Sequence, residues 1–255
     1  MRRIGWVAVL LLLVHLNGFA QAVATVAAAS DLKFALDDLI RGYEARSGHR
    51  IRAVYGSSGN LARQIEQGAP FDVFMSADEA FVDDLARKGL TDDAGSLYGI
   101  GRIVLYSSDA GVFAPDASFD DLRRALARGR VERFAIANPE HAPYGRAARE
   151  ALMATGLWTA LSGRLVLGEN VSQAAQFAVG GNAQGGVFAL SLALAPTFPR
   201  NGSYVVVPES LHAPLRQKMV VLKRAPAAAR TFHAYLRSPE ARAVLERHGF
   251  TVPGN

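Results

Sequence analysis

Residues 23–29 form an unbroken run of β-branched residues and alanines, the composition of a strand buried on both faces of a parallel sheet. Behind it Leu32, Ala35, Leu36, Leu39, Ile40 and Tyr43 recur at helical spacing. Ser30 is placed to cap that helix and Gly48 stands near its end. A second strand is predicted over 50–55, with Ser57 or Ser58 opening a helix that runs to Gln67 and stops at Gly68. The third unit repeats the scheme: a strand over 71–76, then a helix carrying Phe81, Val82 and Leu85 that ends at Gly89. Three strand–helix units in succession imply a parallel sheet with helices on its faces.

Beyond Gly101 the alternation resumes. Strands are expected over 102–106, 133–137, 165–167, 185–189, 204–208 and 219–222, and helices over 120–127, 144–154, 172–179, 227–236 and 239–248. This order predicts an α/β chain of two lobes. The first comprises residues 23–102 plus 217–255 and the second 103–216, with the chain crossing near Arg102 and again near Gln217. Short Gly- and Pro-marked loops couple the lobes closely, since no low-complexity linker interrupts the chain.

The first 22 residues stand outside this pattern. Arg2 and Arg3 precede a short apolar run at 7–14 and Leu16, and Ala20-Gln21-Ala22 gives a small-x-small cleavage site. Together they read as a secretory signal peptide, too short in its apolar part for the roughly 20 residues of a spanning helix. Cleavage after Ala22 would remove two arginines and no acid, lowering the formal charge from +5 to +3. Basic residues are scattered, which argues against nucleic acid as a partner. Half of the 255 residues are hydrophobic, enough for a sizeable core, and the absence of cysteine excludes disulfides, thiolate metal sites and thiol nucleophiles.

Candidate chemistry lies at the carboxyl ends of the first strands, where open α/β sheets hold their ligands. Ala28-Ala29-Ser30 and Gly56-Ser57-Ser58-Gly59 each set a hydroxyl among small residues before a helix. Such serines either cap the helix or join its unpaired N–H groups as donors to an anion. An enzyme reading uses Ser58 as nucleophile of an exported serine hydrolase. The motif, however, is one residue short of a G-x-S-x-G elbow, and no His or Asp stands at a spacing that points to a triad. His15, His49, His141, His212, His233 and His248 show no metal-ligand spacing. Gly99-Ile100-Gly101 lacks the third glycine of a dinucleotide fingerprint, and the acidic pairs 37–38, 83–84 and 92–93 read as solvated faces.

Several blocks resemble the periplasmic molybdate-binding proteins of ATP-driven uptake systems. They are Ala27-Ala28-Ala29-Ser30, the stretch from Gly56 through Pro70 and on through Asp78, the turn Asn138-Pro139-Glu140-His141-Ala142-Pro143-Tyr144-Gly145, and the terminal Arg247-His248-Gly249-Phe250. The resemblance spans essentially the whole chain after residue 22. It implies a two-lobed type II periplasmic-binding fold that closes around molybdate or tungstate, without catalysis or cofactor, delivering to an ABC permease as a periplasmic monomer. It implies contacts from Ser30 and Ser58, each by hydroxyl and backbone N–H, and from the backbone N–H groups of Tyr144 and Val171. These are contacts to oxyanion oxygens, with no direct ligation of the metal. Some relatives carry a tyrosine where this chain has Phe188, and the Tyr144 hydroxyl is expected to compensate. Asp31 is expected to turn away from the anion or to serve the helix N-terminus behind it. Lining by donors alone would reject protonated oxyanions such as phosphate, but not sulfate. A carrier for sulfate or thiosulfate is therefore the alternative binding function.

Overall fold

A computed structural model describes residues 23–199 and 201–253. The expected signal peptide lies outside the described residues. From its start the chain builds β1 (Ala24–Ala29), a 3-10 turn (Ser30–Leu32), α1 (Lys33–Ser47), β2 (Ile51–Gly56), α2 (Ser58–Glu66), β3 (Val73–Ser76), α3 (Glu79–Arg87) and β4 (Ser96–Gly101). It then crosses into β5 (Ile103–Ser107), α4 (Asp120–Ala127), β6 (Phe134–Ala137), α5 (Pro143–Ala154), α6 (Trp158–Ser162) and β7 (Leu165–Gly168). α7 (Val171–Val179), β8 (Gly185–Ala189), α8 (Leu190–Ala193) and β9 (Ser203–Val206) complete that half. The return passes through β10 (Leu215–Val221), α9 (Ala227–Leu236) and α10 (Pro239–Arg247).

Two five-stranded sheets result, ordered β2-β1-β3-β10-β4 and β7-β6-β8-β5-β9. β1 pairs in parallel with β2 and β3, and β6 does so with β7 and β8. The strands that carry the crossings, β10 and β5, run antiparallel to both of their neighbours. The architecture is thus a mixed α/β fold of two lobes.

The period of two along a strand divides the first lobe's core between the faces of its sheet. Val26 and Ala28, Val73 and Met75, Met219 and Val221 join Leu36, Leu39 and Phe232 on the side of α1 and α9. Ala27, Phe74 and Val220 point the other way, into Leu61, Ile65, Val82 and Leu85 of α2 and α3. The second lobe's core continues across the seam, taking in Ala29, Ala77 and Leu215 of the first sheet's strand ends and loops.

Several local expectations change. Ser30 does not cap: it is the first residue of the 3-10 turn, and Ala29 holds the N-cap position. Ser57 holds the N-cap position of α2, but its side chain makes no capping bond. The strand β4 has no counterpart among the predicted elements, and β10 starts four residues earlier than the expected strand.

Candidate functional site

The ends of β1 and β2 and the starts of α2, α5 and α7 meet at the seam between the lobes. They border a small cavity of about 10 Å³, lined among others by Ser30, Asp31, Ser57, Ser58, Tyr144 and Val171. With the lobes together this leaves room for about one water molecule, far below the roughly 300–1,000 Å³ of sites for drug-sized ligands. No lysine or arginine lines it. The structure therefore brings Ser30, Ser58, Tyr144 and Val171 together, two from each lobe. Pro143 is the first residue of α5 and Val171 the first of α7, where N–H groups lack intrahelical partners. Asn170 caps α7 by accepting from the Gln173 N–H at 3.1 Å.

The serines are held by bonds that fix their hydroxyls. Ser58, fully buried, accepts from the Ala77 N–H at 2.9 Å. Ser30 Oγ accepts from the Ser172 N–H at 3.2 Å, and Ser172 Oγ donates back to the Ser30 carbonyl at 2.8 Å. These last two bonds join the lobes. So do the Gly59 N–H to the His141 carbonyl at 3.0 Å, Ser57 Oγ with His141 Nδ1 at 2.9 Å, and the Arg146–Asp78 and Asn60–Glu169 contacts. The lobes are closed upon each other. Gly59 permits this approach, since a Cβ there would sit 2.7 Å from the His141 carbonyl oxygen.

Asp31 departs from expectation. It lines the cavity rather than turning from it, and only 1% of its surface is exposed. Its Oδ2 accepts from Tyr144 Oη at 2.9 Å and from Gln217 Nε2 at 2.8 Å, while Oδ1 is buried without a side-chain partner. Gln217 in turn accepts from Tyr98 Oη at 2.6 Å. Burial pushes the Asp31 carboxyl up to about 6, against hydrogen bonds from Gln217 and Tyr144 and from the main-chain N–H groups of Asp31 and Leu32, so the carboxyl also serves the start of the 3-10 turn as the second expectation had it. The phenols of Tyr98 and Tyr144 are raised well above their usual value, chiefly by burial. The Tyr144 hydroxyl is thus committed to Asp31 and does not replace the contact expected from a tyrosine at 188. Phe188 does not line the cavity; its ring packs against Tyr106 and Phe198. The sequence marks Gln217 only as a crossing point, and nothing local in it ties that residue to residue 31.

The hydrolase reading finds little here. Ser58 bonds to backbone, and the histidine near the cavity pairs with Ser57 instead. Glu169 stands 3.6 Å from His141 Nε2, beyond hydrogen-bond range, so it does not orient that imidazole as a base. Among the described residues no cluster of three or more His, Asp or Glu could hold a metal ion, and no helix is long and apolar enough to cross a membrane.

A family model for bacterial extracellular solute-binding proteins matches residues 24–251. A molybdate-binding protein of Azotobacter vinelandii is 35% identical over 233 residues, covering 90% of each chain. One from Rhodobacter capsulatus is 35% identical over 213 residues, covering 82% of this chain and 81% of its own. The solved periplasmic molybdate-binding protein of Azotobacter vinelandii superposes with a TM-score of 0.82 at 30% identity, over 91% of this chain and all of that one. With its two closed lobes and a small serine-bearing cavity at their seam, the chain belongs to the bacterial extracellular solute-binding proteins.

Proposed function

We propose that this protein captures molybdate between its lobes and delivers it to the permease of an ABC transporter. Tungstate, of the same shape and charge, is taken as well. The observation that carries this reading is the convergence of two serine hydroxyls and two helix starts on one small buried cavity without a lysine or arginine. A dianion there is stabilised by neutral donors: Ser30 and Ser58 through hydroxyl and N–H, Tyr144 and Val171 through N–H. Five or six charge-assisted bonds contribute roughly 8–18 kcal/mol before closure costs, and nanomolar binding needs about 12. The relatives' names point to the same guest. In this reading residues 23–102 plus 217–255 and 103–216 move as the two lobes, and binding shifts the population toward the closed form. The protein works as a periplasmic monomer after loss of residues 1–22, neither catalysing a reaction nor binding nucleic acid.

Calorimetry with molybdate, tungstate, sulfate, thiosulfate and phosphate tests the assignment. Molybdate and tungstate are expected to bind at least a hundredfold tighter than the others. Preference for sulfate or thiosulfate would transfer the protein to a different oxyanion. Covalent labelling of Ser58 by a serine-reactive phosphonate would reinstate the hydrolase.

A further inference from the structure

We infer that Asp31 enters the loaded site as the neutral acid, its Oδ1–H donating to an oxygen of the bound oxyanion, so that one proton is taken up with each dianion. The inference rests on the molybdate reading of the cavity. Three observations carry it. Asp31 follows Ser30 directly in the chain and lines the same cavity. Both side-chain donors, Tyr144 Oη and Gln217 Nε2, converge on Oδ2, which leaves Oδ1 buried with no side-chain partner. No cation lines the cavity to offset a carboxylate beside a dianion.

The alternatives differ in what they leave unpaired. An ionised Asp31 would place an uncompensated oxygen next to a doubly charged guest, costly on both desolvation and Coulomb grounds. As the acid, Asp31 keeps its bonds from Tyr144 and Gln217 on Oδ2 and has one donor left at Oδ1. The protein supplies no acceptor for that donor. An oxyanion supplies one. The groups facing Asp31 do not titrate in its place. α5 presents Tyr144 and β4 presents Tyr98, both held neutral far above the usual phenol value. β10 presents the neutral Gln217, α7 brings Ser172 to the neighbouring Ser30, and Ser191 of α8 donates to the Asp31 carbonyl at 2.8 Å. Burial, outweighing the hydrogen bonds to this carboxyl, already raises it to about 6, and a dianion in the cavity pushes it further in the same direction.

The protonation state also sets selectivity. As an acid, Asp31 extends the donor-only lining and favours a fully deprotonated oxyanion. As a carboxylate it would be an acceptor, and would favour hydrogen phosphate. The proton comes from solvent on loading and returns to it on release.

The test is calorimetry of molybdate binding to the wild-type protein at pH 8, in buffers that differ in ionisation enthalpy. Close to one proton taken up per anion is expected, with affinity falling by up to about tenfold per pH unit between pH 7 and 9. Asp31→Asn supplies an amide N–H at the place of the acid proton. It should bind without proton uptake, with affinity flat across that range, and more tightly than wild type at pH 9. Molybdate binding by wild type with no proton uptake overturns the inference and leaves the molybdate reading standing. Undiminished proton uptake by Asp31→Asn also overturns it, by assigning the proton elsewhere. A folded wild-type protein that gives no molybdate binding at any pH removes the molybdate reading itself. The wild-type proton count needs no variant to fold.

Discussion

The phenol of Tyr144 donates to Asp31 Oδ2 at 2.9 Å, from the first turn of α5 in one lobe to the 3-10 turn after β1 in the other. Gln217 Nε2 reaches both members of the pair, at 2.8 Å from Oδ2 and 2.9 Å from Oη. The bond exists only when the lobes are together, so it contributes to closure rather than to the stability of either half. Tyr144→Phe keeps the ring and removes this donor. Molybdate affinity measured by calorimetry is expected to fall about five- to tenfold, the roughly 1 kcal/mol net contribution of one hydrogen bond. An unchanged affinity would separate this bond from closure.

Ser30→Ala and Ser58→Ala should each weaken molybdate binding by at least tenfold, with far-UV circular dichroism unchanged. Their stabilities should differ. Ser58→Ala also strips the buried Ala77 N–H of its acceptor, at about 1–3 kcal/mol by denaturant titration. Ser30→Ala loses a bond that forms only between closed lobes, and so costs less in the unliganded protein. Wild-type affinity in both variants would detach these serines from the site.

A steric prediction follows from the last residue of β4. A Cβ at Gly101 would lie 2.2 Å from Tyr144 Oη and 2.6 Å from Gln217 Nε2, in the seam itself. Gly101→Ala is therefore expected to hold the lobes apart while each folds. Small-angle scattering should show no compaction on adding molybdate, and affinity should drop by two orders of magnitude or more. Normal compaction would show that the seam repacks.

Acidity should stabilise the closed form in a defined window. The Asp31 carboxyl is raised from 3.8 to about 6, so the native state holds a proton that the unfolded state has released between those values. The contribution is fully present below about pH 4 and is lost as pH rises through about 6. Its size is on the order of 3 kcal/mol, an upper bound because opening rehydrates the group. The melting temperature of wild type relative to Asp31→Asn should therefore rise as pH is lowered from 7 to 5. A constant difference would mean that Asp31 does not titrate there.

By contrast, the ion pair of Arg146 with Asp78 bridges the lobes at a partly exposed position. Pairs of this kind contribute about 0–1 kcal/mol and are screened by salt. Asp78→Asn should change molybdate affinity less than about fivefold, and by less still at high ionic strength. A larger effect in calorimetry would make this pair a true latch.

Periodicity was enough to predict most helices. The expected helices at 120–127 and 227–236 coincide with α4 and α9, because each carries an apolar stripe at helical spacing. β4 was hidden by its glycines, which weaken any strand signal. Their reason is tertiary: a side chain at Gly99 would press on Phe250, and one at Gly101 on Tyr144 and Gln217. α6 and α8, of five and four residues, are too short to show a period. At the site, the serines and helix starts were legible because strand ends and small residues mark them locally. The link of Asp31 to Tyr144 and Gln217 spans 113 and 186 residues along the chain and leaves no local trace.

The two helix starts that border the cavity have a consequence for descent. At Tyr144 and Val171 the proposed donors are main-chain groups, indifferent to which side chain is attached. Mutation at either position leaves the main-chain N–H in place, and among the encoded residues proline alone removes it. A guest held partly by backbone is thereby inherited more faithfully than the residues around it, even between chains that share about a third of their sequence.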